Sequence, residues 1–137
     1  MLQLELSLLK IGELSSRSNV PVKTIRYYEE LGLIGAIDRT EGQFRLFHPE
    51  VINRLRFIKQ LQRLGLSLKE IGGCLVIYDA GQLPCGDIQA KLESHVQEID
   101  RQVDDLIKLR QELTTVLEKW QTSLAPELGK ICPNLQT

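Results

Sequence analysis

The chain has 137 residues, 42% of them hydrophobic. That suits one compact domain, or a small domain with a helical appendage, and no apolar run is long enough to cross a membrane. The formal net charge of −1 conceals a split: residues 1–66 carry ten Lys and Arg against seven Asp and Glu, and residues 67–137 carry seven against eleven. A basic front and an acidic rear suit nucleic acid at one end and a different task at the other. Three widely spaced cysteines argue against a disulfide-stapled secreted fold and make a reducing cytoplasm the default expectation.

The opening MLQLELSLLK has neither a basic start nor a small-residue cleavage site, so residues 1–9 read as an N-terminal extension rather than a signal peptide. Ile11 to Arg17 predicts a short helix, interrupted by Ser18-Asn19-Val20-Pro21. Val22 to Glu30 predicts a second helix, stopped by Gly32. Two short helices joined by a tight turn form a helix-turn-helix. Lys23, Thr24, Arg26, Tyr27 and Tyr28 lie on or near the second of them. A helix of that kind fits the major groove, where cations meet phosphates or guanine and tyrosine hydroxyls meet phosphate oxygens. Ala36-Ile37-Asp38-Arg39 and Phe44-Arg45-Leu46-Phe47 flank Thr40-Glu41-Gly42-Gln43, a hairpin with Gly42 supplying the turn. Arg39 and Arg45 would make that hairpin a wing along the nucleic-acid backbone.

Pro49 opens the next helix, in which Ile52, Leu55, Ile58 and Leu61 recur every three residues until Gly65. Ser67 and Glu70 form a capping box for a further helix through about Ile77. A breaker-rich loop, Asp79 to Pro84, precedes a long helix from about Gly86 to Trp120. Leu92, Ile99, Leu106, Leu113 and Trp120 repeat every seven residues along it, with Val96, Val103 and Leu117 between them. A heptad stripe on a solitary helix needs a partner, and an identical chain is the simplest one. Seven residues before Leu92 lies Cys85, and Cys132 lies in the short tail. In an antiparallel pair, Cys85 of one chain approaches Cys132 of the other. A thiol at a helix start has its thiolate form favoured by the dipole. Cys74, in GGCLVIY, is a third ligand by count only and reads first as a buried structural thiol. No nucleophile–base–orienter set, phosphate-binding loop or carboxylate pair stands out, so an enzyme is not expected.

IGELSSRSNVPVKTIRYYEELGLI, followed by a wing and FIKQLQRLGLSLKEI, resembles the MerR family of transcription regulators, in its metal-sensing branch. The resemblance runs from Lys10 to the Cys-Pro near the end. It implies a mainly α fold: a winged helix-turn-helix over 10–48, a second helix pair over 49–80, a long antiparallel coiled-coil dimerisation helix with its preceding loop over 81–120, and a metal-binding loop over 121–137. It implies DNA contacts at Lys23, Arg26, Tyr28, Arg39 and Arg45. The implied partners are double-stranded promoter DNA, RNA polymerase at that promoter and a second copy of the chain. Switching in the family works through distortion of the promoter. The wing departs from the family's Gly-Tyr-Arg-x-Tyr pattern, since Phe44 and Phe47 carry no hydroxyls. Cys85 and Cys132 match the layout of the divalent-metal sensors, whereas Trp120 stands near where many of those relatives carry another cysteine. Two or three soft thiolates favour a soft divalent effector: mercury first, with zinc, cadmium or lead behind it, and a thiol-based redox sensor as the alternative.

Overall fold

The computed structural model describes residues 7–136. In chain order it contains β1 (Leu9–Lys10), α1 (Ile11–Ser18), α2 (Val22–Glu30), β2 (Asp38–Arg39), β3 (Arg45–Phe47), α3 (Val51–Arg63), α4 (Leu68–Asp79) and α5 (Cys85–Glu118). The fold is mainly helical, with a winged helix-turn-helix, a second helix pair and one long helix. No helix among the described residues is long and apolar enough to cross a membrane. The chain divides into two compact units, one up to Leu92 and one from Glu93.

In the first unit, local signals set most helix boundaries. Asn19 ends α1 in the left-handed conformation (φ 61°), and its N–H returns to the Ser15 carbonyl at 2.9 Å. Gly32 (φ 77°) ends α2: its N–H bonds to Glu29 O, and that of Leu33 bonds to Tyr28 O, both at 3.0 Å. This paired C-terminal cap turns the buried Leu33 back onto the core, and Gly65 repeats it after α3. The capping box of α4 forms as expected: Glu70 N–H donates to Ser67 Oγ at 3.1 Å, and Ser67 N–H donates to Glu70 Oε1 at 2.9 Å. The His48 ring accepts from Glu50 N–H at 3.0 Å at the entry to α3.

Five features differ from expectation. Residues 1–6 of the expected extension lie outside the described residues, but Leu9 belongs to the fold. It pairs with Phe47 in an antiparallel three-stranded sheet of order β1-β3-β2, and both side chains are buried. In the wing, the left-handed residue is Gln43 (φ 67°), not Gly42. Gln43 N–H closes the turn onto Thr40 O at 2.8 Å, and Thr40 N–H bonds across to Phe44 O at 2.8 Å. That is a three-residue hairpin connection, which places its left-handed position one residue later than a two-residue turn does. Helix α4 runs to Asp79, two residues past Ile77. Helix α5 starts at Cys85, because Pro84 O accepts the first helical bond, from Ile88 N–H at 2.9 Å, and it stops at Glu118. At its far end Trp120 N–H bonds to Leu117 O at 3.1 Å, a tightened turn that takes Trp120 off the heptad helix.

The core of the first unit joins Leu14 of α1, Ile25 and Tyr28 of α2, Phe47 of β3, Leu55 and Ile58 of α3, and Ile71 of α4. Ile88 and Leu92, from the first turns of α5, pack against it. Arg54 braces this unit. Its Nε donates to Leu33 O at 2.6 Å, and its two terminal nitrogens grip both oxygens of Asp79 at 2.7 and 2.9 Å. The guanidinium hydrogen bond holds the Asp79 carboxyl below its usual range. In the second unit no described residue is buried. Val96, Ile99, Val103, Leu106, Leu113 and Leu117, the stripe read from the sequence, are all exposed.

Candidate functional site

The reading helix α2 presents Lys23, Arg26 and Tyr27 as exposed side chains, with Thr24 half-buried. Helical geometry explains the division. Ile25 and Tyr28 are three residues apart on the core-facing side, so the positions between them face outward. Tyr28 lies on the core side of the helix. It is 2% exposed, burial pushes its hydroxyl pKa up, and that hydroxyl donates to Gln62 Oε1 at 2.6 Å. That bond ties α2 to α3. The i,i+3 spacing with Ile25 was the available signal.

The wing brings Arg39 and Arg45 to adjacent strands, directly paired across β2 and β3. Both are exposed, but Arg45 is engaged: its Nε lies 2.9 Å from Glu29 Oε2, which links the wing to the end of α2. Arg39 Nη1 reaches Gln43 O at 3.5 Å within its own hairpin. Phe44 is 67% exposed, and its ring lies where a Cβ on Gly42 would meet it at 3.3 Å. Sequence reasoning overlooked a third group of cations. Arg56, Lys59 and Arg63 of α3 border a groove beside Ser18 and Asn19 of the helix-turn-helix junction. Arg56 Nη2 donates to Arg17 O at 3.2 Å, across that groove's edge. Their spacing, opposite the apolar run of α3, was visible in the sequence.

The thiols fall in three settings. Cys74 is fully buried, and its Sγ donates to Asp87 Oδ2 at 3.4 Å, where Lys91 Nζ also bonds at 2.8 Å. Burial first, and Asp87 second, push the Cys74 thiol up, so its thiolate is disfavoured. Hydrogen bonds from Lys91 and then Cys74 hold Asp87 below its usual range. This cluster pins the first turn of α5 onto α4. Cys85, at the first position of α5, is exposed. Cys132 is half-buried in the tail and is followed by Pro133. The described residues contain no cluster of three or more His, Cys, Asp or Glu able to hold a metal. Two accessible thiols of suitable softness are therefore present, and one chain offers no ready-made cage.

Two protein-family models cover most of the chain: "MerR HTH family regulatory protein" over residues 9–75 and "MerR, DNA binding" over residues 52–116. A mercuric resistance operon regulatory protein of Bacillus cereus is 35% identical over 93% of this chain and 95% of its own length. The ZntR homologue of Haemophilus influenzae, an HTH-type transcriptional regulator, is 37% identical over 81% of this chain and 82% of its own. Among solved structures, the lead(II) complex of the regulator PbrR691 from Ralstonia metallidurans CH34 matches with a TM-score of 0.72 at 29% identity, covering 93% of this chain and 97% of that one. The mercury(II) complex of MerR from Bacillus megaterium MB1 matches with a TM-score of 0.61 at 28% identity over the same shares. These relatives are transcription regulators, not enzymes.

Proposed function

The chain belongs to the MerR family, and from that premise we propose that it is a metal-responsive regulator that binds promoter DNA as a homodimer and answers to a soft divalent ion. Lys23, Thr24, Arg26 and Tyr27 of α2, with Arg39 and Arg45 of the wing, form its DNA face; Tyr28 supports that face from within. Arg56, Lys59 and Arg63 add positive charge beside it. Neutralising phosphates with such cations makes affinity fall steeply with salt. RNA polymerase at the same promoter is the further partner of this reading, and the cytoplasm its location.

The observation that carries the proposal is the rear of the molecule. An apolar stripe lies uncovered along α5, with a thiol at its first residue and a second in the tail beyond it. An antiparallel partner helix would cover the stripe, and the ion would then be held by Cys85 of one protomer and Cys132 of the partner subunit. Mercury(II) leads the ranking because it tolerates few ligands, and because relatives named for mercury match this chain along nearly its whole length. Zinc, cadmium and lead follow; the lead-bound neighbour and the ZntR homologue favour keeping zinc and lead in the panel. The ion switches transcription only by binding one DNA-bending state better than the other.

The test is an affinity panel of Hg(II), Zn(II), Cd(II) and Pb(II) on reduced protein, with promoter-fragment mobility followed in parallel. Cys85→Ser and Cys132→Ser should abolish the metal response and leave promoter binding intact. Loss of promoter binding in either variant would assign that cysteine to folding. Loss of free thiols without metal uptake would favour a redox sensor.

A further inference from the structure

The geometry points to Asn134 and Gln136 as positioning residues that set the Cys132 loop in its metal-accepting shape before any ion arrives, a role that rests on the reading of Cys132 as a ligand. Asn134 meets both backbone polar groups of Gln121, just past the end of α5. Gln121 N–H donates to Asn134 Oδ1 at 2.9 Å, and Asn134 Nδ2 donates to Gln121 O at 2.9 Å. One side-chain amide thereby closes residues 121–134 into a loop. Gln136 holds the cysteine itself: its Oε1 accepts from Ile131 N–H at 2.7 Å and from Cys132 N–H at 2.9 Å. The N–H groups of Leu135 and Gln136 turn back to Cys132 O at 3.0 and 3.2 Å. Both backbone polar groups of Cys132 are thus occupied within the tail.

Burial does not shape this segment. No described residue after Gln121 is buried, and Leu128, Ile131 and Leu135 are all exposed. Hydrogen bonds define it instead: the backbone turns at Glu127–Lys130 and at Cys132, and the side-chain bonds of Asn134 and Gln136 that fasten them. A loop already closed loses less freedom when its thiolate is captured, and outer groups that orient a ligand raise affinity on that account. The two side chains also use different chemistry. Gln136 acts only as an acceptor, so glutamate can replace it. Asn134 donates and accepts, so alanine removes both of its bonds.

The test uses the full chain, reduced, with Hg(II) as the probe. Amide hydrogen exchange is read on the metal-free protein, and affinity is read by competition against a small thiol. Gln136→Ala should unprotect the amides of Ile131 and Cys132 and weaken Hg(II) binding about tenfold. Gln136→Glu should restore both. Asn134→Ala should unprotect Gln121 and weaken binding similarly, and all three variants should keep the wild-type promoter affinity of the metal-free protein. Protection lost with Hg(II) affinity unchanged would overturn the positioning role and leave Cys132 a ligand. A Cys132→Ser chain that binds Hg(II) as the wild type does would overturn both readings.

Discussion

From Leu9 to Leu92 the chain folds around its own apolar side chains; among the described residues from Glu93 onward none is buried. Leu14, Ile25, Phe47, Leu55, Ile58 and Ile71 are completely buried, whereas Leu106, Leu113 and Leu117 are more than half exposed. The contrast separates two sources of stability. The front is held by packing within one chain, and the rear helix draws on whatever covers its stripe. A 34-residue helix with an apolar seam gains little from propensity alone. The first unit can therefore keep its shape on its own packing, while the exposed stripe of α5 contributes none.

Substitutions on each side should have different signatures. The largest effect is expected from Leu106→Glu. In an antiparallel dimer it removes two buried leucines, each about 1.5–3 kcal/mol, and puts two carboxylates into the seam. Light scattering should show a single-subunit mass, while the helix-turn-helix unit keeps its near-ultraviolet signature. A dimeric Leu106→Glu chain would refute the seam. Phe47→Ala should cost about 3–5 kcal/mol in denaturant unfolding of the front, with little dependence on protein concentration. Tyr28→Phe should cost about 0.5–1.5 kcal/mol through the lost bond to Gln62 and leave promoter affinity unchanged. The reverse pattern would return Tyr28 to the DNA face. The smallest effect concerns Asp79, whose carboxyl is held below the ordinary value of 3.8 by Arg54. A lowered carboxylate pKa stabilises the fold at neutral pH, and that contribution is lost as pH falls through the lowered value. The thermal stability gap between wild type and Asp79→Asn should correspond to about 0.2–1 kcal/mol at pH 7, in keeping with a solvent-screened pair, and close in acid.

Signals written into neighbouring residues were legible. Ser67 with Glu70 marked a helix start, Gly32 and Gly65 marked helix stops, and the sevenfold repeat marked α5. Features that depend on distant partners were not. Leu9 forms a strand of two residues because Phe47 lies opposite, and nothing in MLQLELSLLK announces that pairing. The left-handed residue of the wing is a glutamine beside an available glycine, chosen by hairpin length more than by residue preference. Trp120 keeps the sevenfold spacing but lies two residues beyond the end of the helix. At the candidate site, the positions of the exposed cations on α2 followed from helical periodicity. The enclosure of Cys74 by Asp87 and Lys91, and the amide bonds around Cys132, involve residues whose types alone carried no message.

Arg54 has a mechanical consequence. One planar fork joins the last residue of α4 to the stretch of chain that leaves the reading helix. A lysine there could satisfy only one of those acceptors well, because its donors spread from a single point. The fork thus holds the end of α4 and the Leu33 carbonyl at a fixed separation through one rigid plane. Arg54→Lys would therefore leave the end of α4 and the turn at Leu33 without their shared tie, which faster amide exchange at both ends would show.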